Sequence, residues 1–400
     1  MKTIGYVTAA DPFHDRKAWS GTIYKVREAI ENAGFNVFWI PVRLSFLHNL
    51  YVKISAFRYG RLVSRNMDNV AVRLRAEGIK FPDETIIDYY FFLGDAQLTK
   101  HLNLSKPVIY YADATDREKI AVAIRLSKPV IYYADATFDL MCDYYFDMPS
   151  KSLRRQADAN EKIGLNNSSI VIASSQWAVD SATSHYNQSS AKCKVLEFGA
   201  NLDDEDIVKS DKYEKGDVLN VLFSGVNWER KGAAIAIDTV KKLINTGINA
   251  KLLLVGIKLD DIPANYRNLP WVEYFGFMNK NMPEQYQRYV DAIKRSHLLL
   301  LPTSAECSAI VFSEAAAYGL PVFTYDTGGI GNYVIDGYNG YRLRLGASAN
   351  DFSVKIKETL FDGKLTKLSG NALQLYADNL SWSAWSRRFR GIIEEYENNK

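Results

Sequence analysis

The stretch LLLPTSAECSAIVFSEAAAYGLPVFTYDTGGIGNYVIDGYNG, residues 299–340, carries the pattern that decides the fold. Its apolar start predicts a buried strand that ends at Pro302, and the loop that follows carries Glu306. A helix is predicted at Ser308–Tyr318, and a second apolar run predicts a strand at Pro321–Tyr325. This order of strand, helix and strand is typical of a parallel sheet with crossover helices.

The same alternation of short apolar runs and helical patterns extends over the rest of the chain and predicts an α/β protein. Because 400 residues exceed what one hydrophobic core holds, we expect two domains. Predicted strands lie at Thr3–Thr8, Asn36–Pro41, Tyr89–Leu93, Val130–Ala134, Ser169–Ala173, Leu219–Ser224, Lys251–Val255, Val272–Phe275 and Leu298–Pro302. Predicted helices lie at Gly21–Ala33, Gly232–Asn245 and Met282–Arg295.

A charged, turn-rich segment at 201–217 divides the chain. Its composition predicts a solvated linker, and we favour that over a metal site for its acidic cluster. The linker separates a domain at 1–200 from a second domain at 218–380. Residues 381–400 predict one amphipathic helix that anchors on a domain surface through aromatic residues at i, i+3 and i+7, namely Trp382, Trp385 and Phe389.

Composition and charge narrow the class of protein. Hydrophobic residues make up 47% and charged residues 24% of the chain, as in a soluble globular protein. A net charge of +3 gives no support for a nucleic-acid partner. The first residues lack the pattern of a signal peptide, and no apolar run is long enough to span a membrane. Three widely spaced cysteines argue against disulfides and a CxxC metal site, so we expect a cytoplasmic protein.

An identical segment, LSKPVIYYADAT, occurs at 104–115 and again at 126–137, with an offset of 22 residues. Such identity favours a recent duplication or a sequencing artefact over a selected function, because the repeats of a solenoid diverge. Both copies would form neighbouring parallel strands, or one would enter the sheet while the other is extruded. We expect one copy in the sheet, and identical sequences do not indicate which.

Glu306 and Glu314 are the candidate ligand-binding carboxylates. At about 1.5 Å per helical residue they lie on the order of 10 Å apart, which suits opposite ends of a sugar nucleotide. Between them, the backbone N–H groups of Ser308, Ala309 and Ile310 at the helix start predict an anion site. The alternative is a solvated loop residue and a surface charge on the helix. However, Glu314 precedes an apolar stretch that packs on the sheet, where an acid requires a partner.

Four motifs in order resemble the family 4 retaining glycosyltransferases, which have the GT-B fold. Glu306 and Glu314 match the E-x7-E motif, and EAAAYGLPV, Gly328–Gly329 and DGYNG match the pattern that follows it. Upstream, FSGVNWERKGAAIAI resembles the phosphate-binding strand, loop and helix of the family. Near the N-terminus, AWSGT with Gly21 resembles its acceptor-side glycine loop. The resemblance covers nearly the whole chain.

The resemblance implies two Rossmann-like domains that face a central cleft, with the C-terminal helix packing back toward the first domain. Glu306 would contact hydroxyls of the donor sugar, and Glu314 would bind the ribose. Arg230 and Lys231 would neutralise the diphosphate and stabilise the leaving nucleotide, which replaces a metal. No cofactor is implied, because the nucleotide-diphospho-sugar is a substrate.

Further positions are less closely matched to the family. Phe277, beside Gly276, falls where the nucleobase loop lies, with a core position as the alternative. Val226 stands where the family usually has Arg. Asp135, or Asp113 in the first copy of the repeat, stands where many members have a His that faces the donor sugar. A carboxylate there would bind a sugar hydroxyl, and capping of the following turn is the alternative.

The stretch 43–65 contains five Lys/Arg, several aromatic residues and no acid. It suits an anionic membrane surface or a lipid-linked acceptor, with a solvated helix whose apolar face enters the core as the alternative. We therefore expect a retaining hexosyltransferase that acts on a glycan or lipid-linked acceptor, in the cytoplasm or peripherally at the inner membrane face. The alternatives are another sugar-nucleotide enzyme, such as an epimerase, and a non-catalytic nucleotide-sugar-binding or membrane scaffold.

Overall fold

The computed structural model describes residues 1–59, 67–101, 128–210, 213–214 and 216–399. It contains two six-stranded sheets in which all strand pairs are parallel. Near-continuous apolar runs form these strands, as expected for parallel sheets covered by helices on both faces.

The first sheet has the order β2-β1-β3-β4-β5-β6. Its strands are β1 Thr3–Thr8, β2 Asn36–Pro41, β3 Tyr89–Leu93, β4 Val130–Ala134, β5 Ile170–Ala173 and β6 Cys193–Val195. The second sheet has the order β12-β11-β10-β7-β8-β9. Its strands are β7 Leu219–Ser224, β8 Ala250–Val255, β9 Val272–Gly276, β10 Leu298–Leu301, β11 Val322–Tyr325 and β12 Gly340–Leu343.

Helices connect the strands and cover both sheets. Within the described ranges, those of the first half are α1 Thr22–Asn32, α2 Phe46–Tyr59, α3 Asn69–Ala76, α4 Phe138–Met141, α5 Lys151–Asn167 and α6 Gln176–Ser184. Those of the second half are α7 Trp228–Lys231, α8 Ala233–Asn245, α9 Pro283–Lys294, α10 Ile310–Ala317, α11 Ala349–Phe361, α12 Leu365–Leu375 and α13 Trp382–Asn398. None of the helices in the described part of the chain combines the length and apolarity that a membrane span requires.

Every predicted strand and helix is present, with ends shifted by at most two residues. The largest shift is in α10, which begins at Ile310 and not at Ser308. Two short edge strands, β6 and β12, were missing from the prediction. Each has only three or four residues, so its apolar pattern is too short to stand out from a loop.

The second copy of the repeat supplies β4. Its two neighbours are β3 and β5, which pair with it in continuous register. Two neighbouring strands from the two copies are therefore excluded, and that alternative was wrong. The first copy, at 104–115, lies outside the described residues.

Helix α13 packs on the first domain, although it follows the second domain in the sequence. Trp385 and Phe389 are fully buried and stack with ring centroids 4.7 Å apart. They share a core cluster with Tyr6 and Phe91 of the first sheet. The prediction that the C-terminal helix packs back on the N-terminal domain is confirmed, and the crossing holds the two domains together.

Candidate functional site

The site lies at the carboxyl ends of β7 and β10, where the strand order of the second sheet reverses. Open parallel sheets bind ligands at such a switch point. The chain leaves β7 into the short helix α7, where the Asn227 side chain accepts a hydrogen bond from the Arg230 N–H at 2.8 Å. Gly232 ends this turn with φ of 71°, and a Cβ there would lie 2.3 Å from the Pro302 carbonyl oxygen. A glycine is required because α7 sits directly on the end of β10.

Glu306 is buried between two cations. Its carboxylate accepts hydrogen bonds from Lys231 Nζ and from Arg230 Nη1, the latter at 3.3 Å. Arg230 also donates to the Ala305 carbonyl at 2.8 Å, which fixes the guanidinium against the loop after β10. The alternative of a solvated loop residue is wrong for Glu306, since only 5% of the residue is exposed.

The charge balance of this cluster favours an additional anion. Two cations face one carboxylate, which leaves one positive charge uncompensated within the group. Burial lowers the pKa of Lys231, and the neighbouring Glu306 opposes that effect. An anionic group placed beside Arg230 and Lys231 would stabilise the charged form of the lysine.

The start of α10 adjoins the cluster. Ala309 is the N-cap residue and makes no side-chain hydrogen bond to the first turn. The amides in the first turn of α10 therefore have no cap from this side chain. Backbone donors at a helix start favour an anion. Ser308 is partly exposed, whereas Ala309 is buried.

The glycine pair lets a turn pass close to the Glu306 loop. A Cβ on Gly328 would lie 2.1 Å from the Glu306 carbonyl oxygen, and one on Gly329 would lie 1.9 Å from that of Cys307. The Gly329 N–H donates to the Glu306 carbonyl at 3.1 Å. Any side chain at either position would displace the loop that carries the carboxylate.

Two tyrosines from the first domain complete the cluster. Tyr144 Oη accepts from the Glu306 N–H at 2.8 Å and lies 2.8 Å from Thr327 Oγ1. The Tyr145 ring lies 4.6 Å from the Arg230 guanidinium carbon, in cation–π contact. Sequence reasoning missed both residues, because a YY pair in a loop carries no periodic or motif signal.

Asp135 follows β4 and faces the same cluster from the first domain. Burial raises its pKa to about 6, and the charge of Glu306 adds to that effect. The same two carboxylates also raise the pKa of Cys307, after the effect of burial. The structure thus brings Asp135 into electrostatic range of Glu306.

Glu314 lies on the inner face of α10 in a second cluster. It is 2% exposed, so the alternative of a surface charge is wrong. Its two oxygens accept hydrogen bonds from Lys280 Nζ and Tyr289 Oη. The partner that a buried acid requires is therefore present, but neither residue was predicted. Lys280 also lies 4.6 Å from the centre of the Tyr289 ring.

Gly21 closes the loop before α1 with φ of 92°, after Trp19 and Ser20, which also have positive φ. It lines a small interdomain pocket together with Lys280, so it lies near the partner of Glu314. Phe277 is 46% exposed, so its alternative core position is wrong. Val226 is also exposed and presents no charge to the site.

The first domain contains a cavity of about 910 Å³ at its own switch point, between the carboxyl ends of β1 and β3. Trp19 and Trp39 line it together with a bidentate ion pair between Arg75 and Asp95, at 2.8 and 2.7 Å. Arg75 is 4% exposed, and its Nε has no hydrogen-bond partner among the described residues. Aromatic rings with a few fixed polar groups are typical of a small-molecule site.

Asp139, Asp158 and His185 form the one group with metal-ligand atoms in mutual range within the described parts of the chain. The atoms lie within 4.8 Å of one another, and His185 Nε2 is 2.9 Å from an Asp158 oxygen. These side chains satisfy one another as an ion-pair group and are separate from the Glu306 cluster. Asp203 of the predicted linker pairs with Arg16 at 2.7 Å.

Comparison with known proteins finds a family model that matches part of the chain. Residues 204–373 match the model of the glycosyl transferases group 1. An uncharacterized glycosyltransferase of Methanocaldococcus jannaschii is 30% identical over 186 residues, which are 46% of this chain and 50% of that protein. The chain thus spans about half the length of this curated relative.

Solved structures show the same fold over the full length. Sucrose-phosphate synthase from Thermosynechococcus elongatus aligns with a TM-score of 0.64 at 14% identity and covers all of both chains. Anabaena HepE, solved in complex with UDP and glucose, aligns with a TM-score of 0.58 at 15% identity over 98% of this chain and all of its own. At this level of identity the likeness concerns the fold alone, and the predicted two-domain GT-B architecture is confirmed.

Proposed function

We propose that this protein is a glycosyltransferase that uses a nucleotide-diphospho-sugar donor. The match of residues 204–373 to the model of the glycosyl transferases group 1 supports this proposal. The observation that carries the proposal is the buried cluster of Glu306, Lys231 and Arg230 at the switch point of the second sheet. Transfer from a nucleotide-diphospho-sugar is favoured by a carboxylate that accepts from sugar hydroxyls and by positive charge beside the diphosphate, and this cluster combines the two.

In the proposed mechanism, Arg230 and Lys231 bind the diphosphate together with the amides at the start of α10. Negative charge grows on the bridging oxygen as the glycosidic bond breaks, so fixed cations lower the barrier. This role replaces a divalent metal, and we expect turnover to persist in EDTA. Glu306, released from full ion pairing by the incoming phosphate, accepts hydrogen bonds from the hydroxyls of a hexose-type sugar.

The nucleoside is proposed to bind at the second cluster, with Glu314 accepting from the ribose hydroxyls. Lys280 already occupies one oxygen of Glu314 and Tyr289 the other, so the ribose would share these acceptors. Phe277, which is exposed and lies three residues before Lys280 in the chain, would contact the base. HepE, with UDP and glucose bound in the same fold, supports a donor of this class.

The acceptor, a glycan or a lipid-linked glycan, is proposed to enter from the cavity of the first domain. Asp135 lies between the two domains and would accept a hydrogen bond from a sugar hydroxyl. Retention is proposed to proceed through a loose, oxocarbenium-like transition state, in which the departing phosphate takes the proton of the acceptor. We place this activity in the cytoplasm, at the inner face of the membrane.

The second candidate function is nucleotide-sugar binding without turnover, as in a scaffold protein. Val226, where the family usually has Arg, is 63% exposed and removes one cation from the diphosphate site. Arg230 compensates in the proposal, because its guanidinium lies against the Glu306 loop. The spacing of Glu306 and Glu314 disfavours a third candidate, an epimerase.

The test is release of nucleoside diphosphate from a panel of nucleotide sugars, with a broad panel of acceptors. We expect turnover in the native protein and a loss of at least about 100-fold in Glu306→Ala and Lys231→Ala, since each removes a fixed electrostatic group. The exposed ion pair of Lys355 and Glu358 supplies matched controls, Lys355→Ala and Glu358→Ala, which should retain activity. Failure to bind any nucleotide sugar contradicts the proposal, and binding without turnover favours the scaffold.

A further inference from the structure

Helix α2, Phe46–Tyr59, exposes large apolar side chains along one side. Three of them have exposed fractions above 64%: Phe46 at 79%, Ile54 at 65% and Phe57 at 97%. Leu47 and Leu50 are 62% and 42% exposed. Phe46, Leu50, Ile54 and Phe57 follow one another at steps of four, four and three, which places them on one face of the helix.

The opposite face of α2 buries polar residues. His48 is 1% and Ser55 is 8% exposed, and the Ser55 hydroxyl donates to the Tyr51 carbonyl at 2.7 Å. Tyr51 Oη donates to Asp68 at 2.8 Å, next to α3. A surface helix in water has the reverse arrangement, with its apolar side toward the core. The alternative that the apolar residues of this segment form a core face is therefore wrong.

Positive charge lies beside the apolar face. Arg43 and Lys53 are exposed, and residues 43–67 contain no Asp or Glu. A face of Phe, Leu and Ile bordered by cations matches the chemistry of an anionic bilayer, with acyl chains beneath phosphate groups. A protein partner would need a matching apolar surface rimmed by acids, which is a more specific requirement.

The apolar face adjoins the cavity of the first domain. Arg43 and Leu44 line that cavity, and α2 begins two residues later. A molecule that lies in a bilayer under α2 would thus reach the cavity with its head group and keep its chains in the lipid.

We infer that α2 docks on an anionic lipid bilayer, and that the acceptor entering the cavity is a lipid-anchored glycan. The docking is independent of catalysis, whereas the identity of the acceptor rests on the proposed function. The surface carries no ligand-binding residue of the donor site, so the two statements are tested separately.

Co-sedimentation with vesicles tests the docking. We expect the native protein to bind vesicles of phosphatidylcholine with phosphatidylglycerol, and to bind phosphatidylcholine alone at least about tenfold more weakly. Leu50→Ser/Ile54→Ser/Phe57→Ser should reduce binding at least about tenfold, since it removes most of the inserted apolar area. Lys53→Gln should reduce it about fivefold, with the difference lost at high salt.

The second domain offers a matched control. Phe361 is 66% exposed, with Lys357 Nζ 5.7 Å from its ring centre. Phe361→Ser/Lys357→Gln removes an exposed aromatic residue and a cation without touching α2, and should bind vesicles like the native protein. The inference is overturned if the native protein does not bind anionic vesicles. It is also overturned if the triple variant binds them as strongly as the native protein does. Self-association through α2 in sedimentation velocity, without vesicle binding, overturns it in favour of a second copy of the chain.

The acceptor is tested by comparing a glycolipid in the same vesicles with its soluble head group. We expect transfer to the vesicle-bound acceptor to be at least about tenfold faster and to fall with the triple variant, because docking raises the effective concentration. Equal rates on both acceptors overturn this part. Nucleotide-sugar binding is measured in parallel to separate failure of the docking from failure of the proposed function. Vesicle binding without donor binding contradicts only the proposed function. Donor binding without vesicle binding contradicts only the docking.

Discussion

At the level of single residues, the buried charge of Glu306 is balanced by Lys231 and Arg230. Side chains of Glu306 and Lys231 are only 7% and 10% exposed, so neither charge is well solvated. A buried ion pair adds little net stability, but removal of one partner leaves an uncompensated charge. Variants at this site therefore affect folding as well as ligand binding, and the two effects must be separated.

A double-mutant cycle separates them. We expect Lys231→Met to lower the free energy of unfolding by about 3 kcal/mol, because Glu306 loses its closest cation. Adding Glu306→Gln should restore most of that loss while donor binding stays absent, since the charges that hold the donor are gone. Urea unfolding and nucleotide-sugar titration measure the two quantities. A double variant less stable than either single variant would contradict this interpretation.

Asp135 makes stability depend on pH. Its pKa is about 6 in the folded protein, against an ordinary value of 3.8. The folded state therefore binds this proton more tightly, and the free energy of unfolding contributed by Asp135 falls as pH rises from about 4 to about 6.

Replacement with Asn should remove this dependence. The stability of Asp135→Asn relative to the native protein should rise between pH 4 and pH 7, by at most about 3 kcal/mol. Urea unfolding across this range measures the difference. A constant difference would show that the carboxyl has the same pKa in the folded and unfolded states.

At the scale of elements, the loop between α4 and α5 connects the first domain to the donor site. Tyr144 bonds the Glu306 amide and the Thr327 hydroxyl, and Tyr145 stacks on Arg230. These two adjacent tyrosines thus contact both the loop that carries Glu306 and the turn that carries Arg230. This loop therefore links the first domain directly to the geometry of the donor site.

Tyr144→Phe tests the coupling. Without the hydroxyl, the Glu306 N–H loses its acceptor, and we expect a cost of about 1–3 kcal/mol in the free energy of unfolding, with weaker nucleotide-sugar binding. Tyr145→Phe is the matched control, because it keeps the ring beneath Arg230. Unfolding curves and titration calorimetry of both variants provide the measurement. Equal behaviour of the two variants would argue against a role for the Tyr144 hydroxyl.

At the scale of the whole molecule, the repeat allows a test of whether the first sheet needs both copies of the segment. Strand β4, from the second copy, already fills the position between β3 and β5. Asn167 Nδ2 lies 3.4 Å from the Thr99 carbonyl oxygen, and the Ser169 N–H donates to Val130 at 2.8 Å. The ends of the connection from β3 to β4 are therefore close enough for a short link.

Deletion of residues 104–125 removes one repeat unit and restores a single LSKPVIYYADAT after Asn103. We expect the shortened protein to fold with unchanged donor binding, because the residual linker still spans more than 10 Å at about 3.3 Å per residue. Its unfolding free energy should be equal or slightly higher, since a shorter loop costs less entropy to close. Circular dichroism, urea unfolding and nucleotide-sugar titration check this. Loss of folding would mean that the first copy has a structural role.

The sequence by itself determined every strand except the short edge strands β6 and β12, several of the helices and the order of the motifs. These features depend on local periodicity and spacing, which a single chain displays without its fold. The spacing of Glu306 and Glu314 on one loop and helix, and the glycine pair that follows, are of this kind. The burial of Glu314 also followed from the apolar stretch after it, whereas the burial of Glu306 did not.

Only the tertiary structure decided which groups meet across the cleft. Tyr144 and Glu306 are 162 residues apart in the chain, and Lys280 and Glu314 are 34 apart, so no local pattern links them. The exposed face of α2 was equally hidden, because an apolar stripe looks the same whether it faces a core or a lipid. Two identical copies of one segment have identical propensities. Only pairing with β3 and β5 distinguishes the copy that enters the sheet, since strand position is a property of the neighbours and not of the residues.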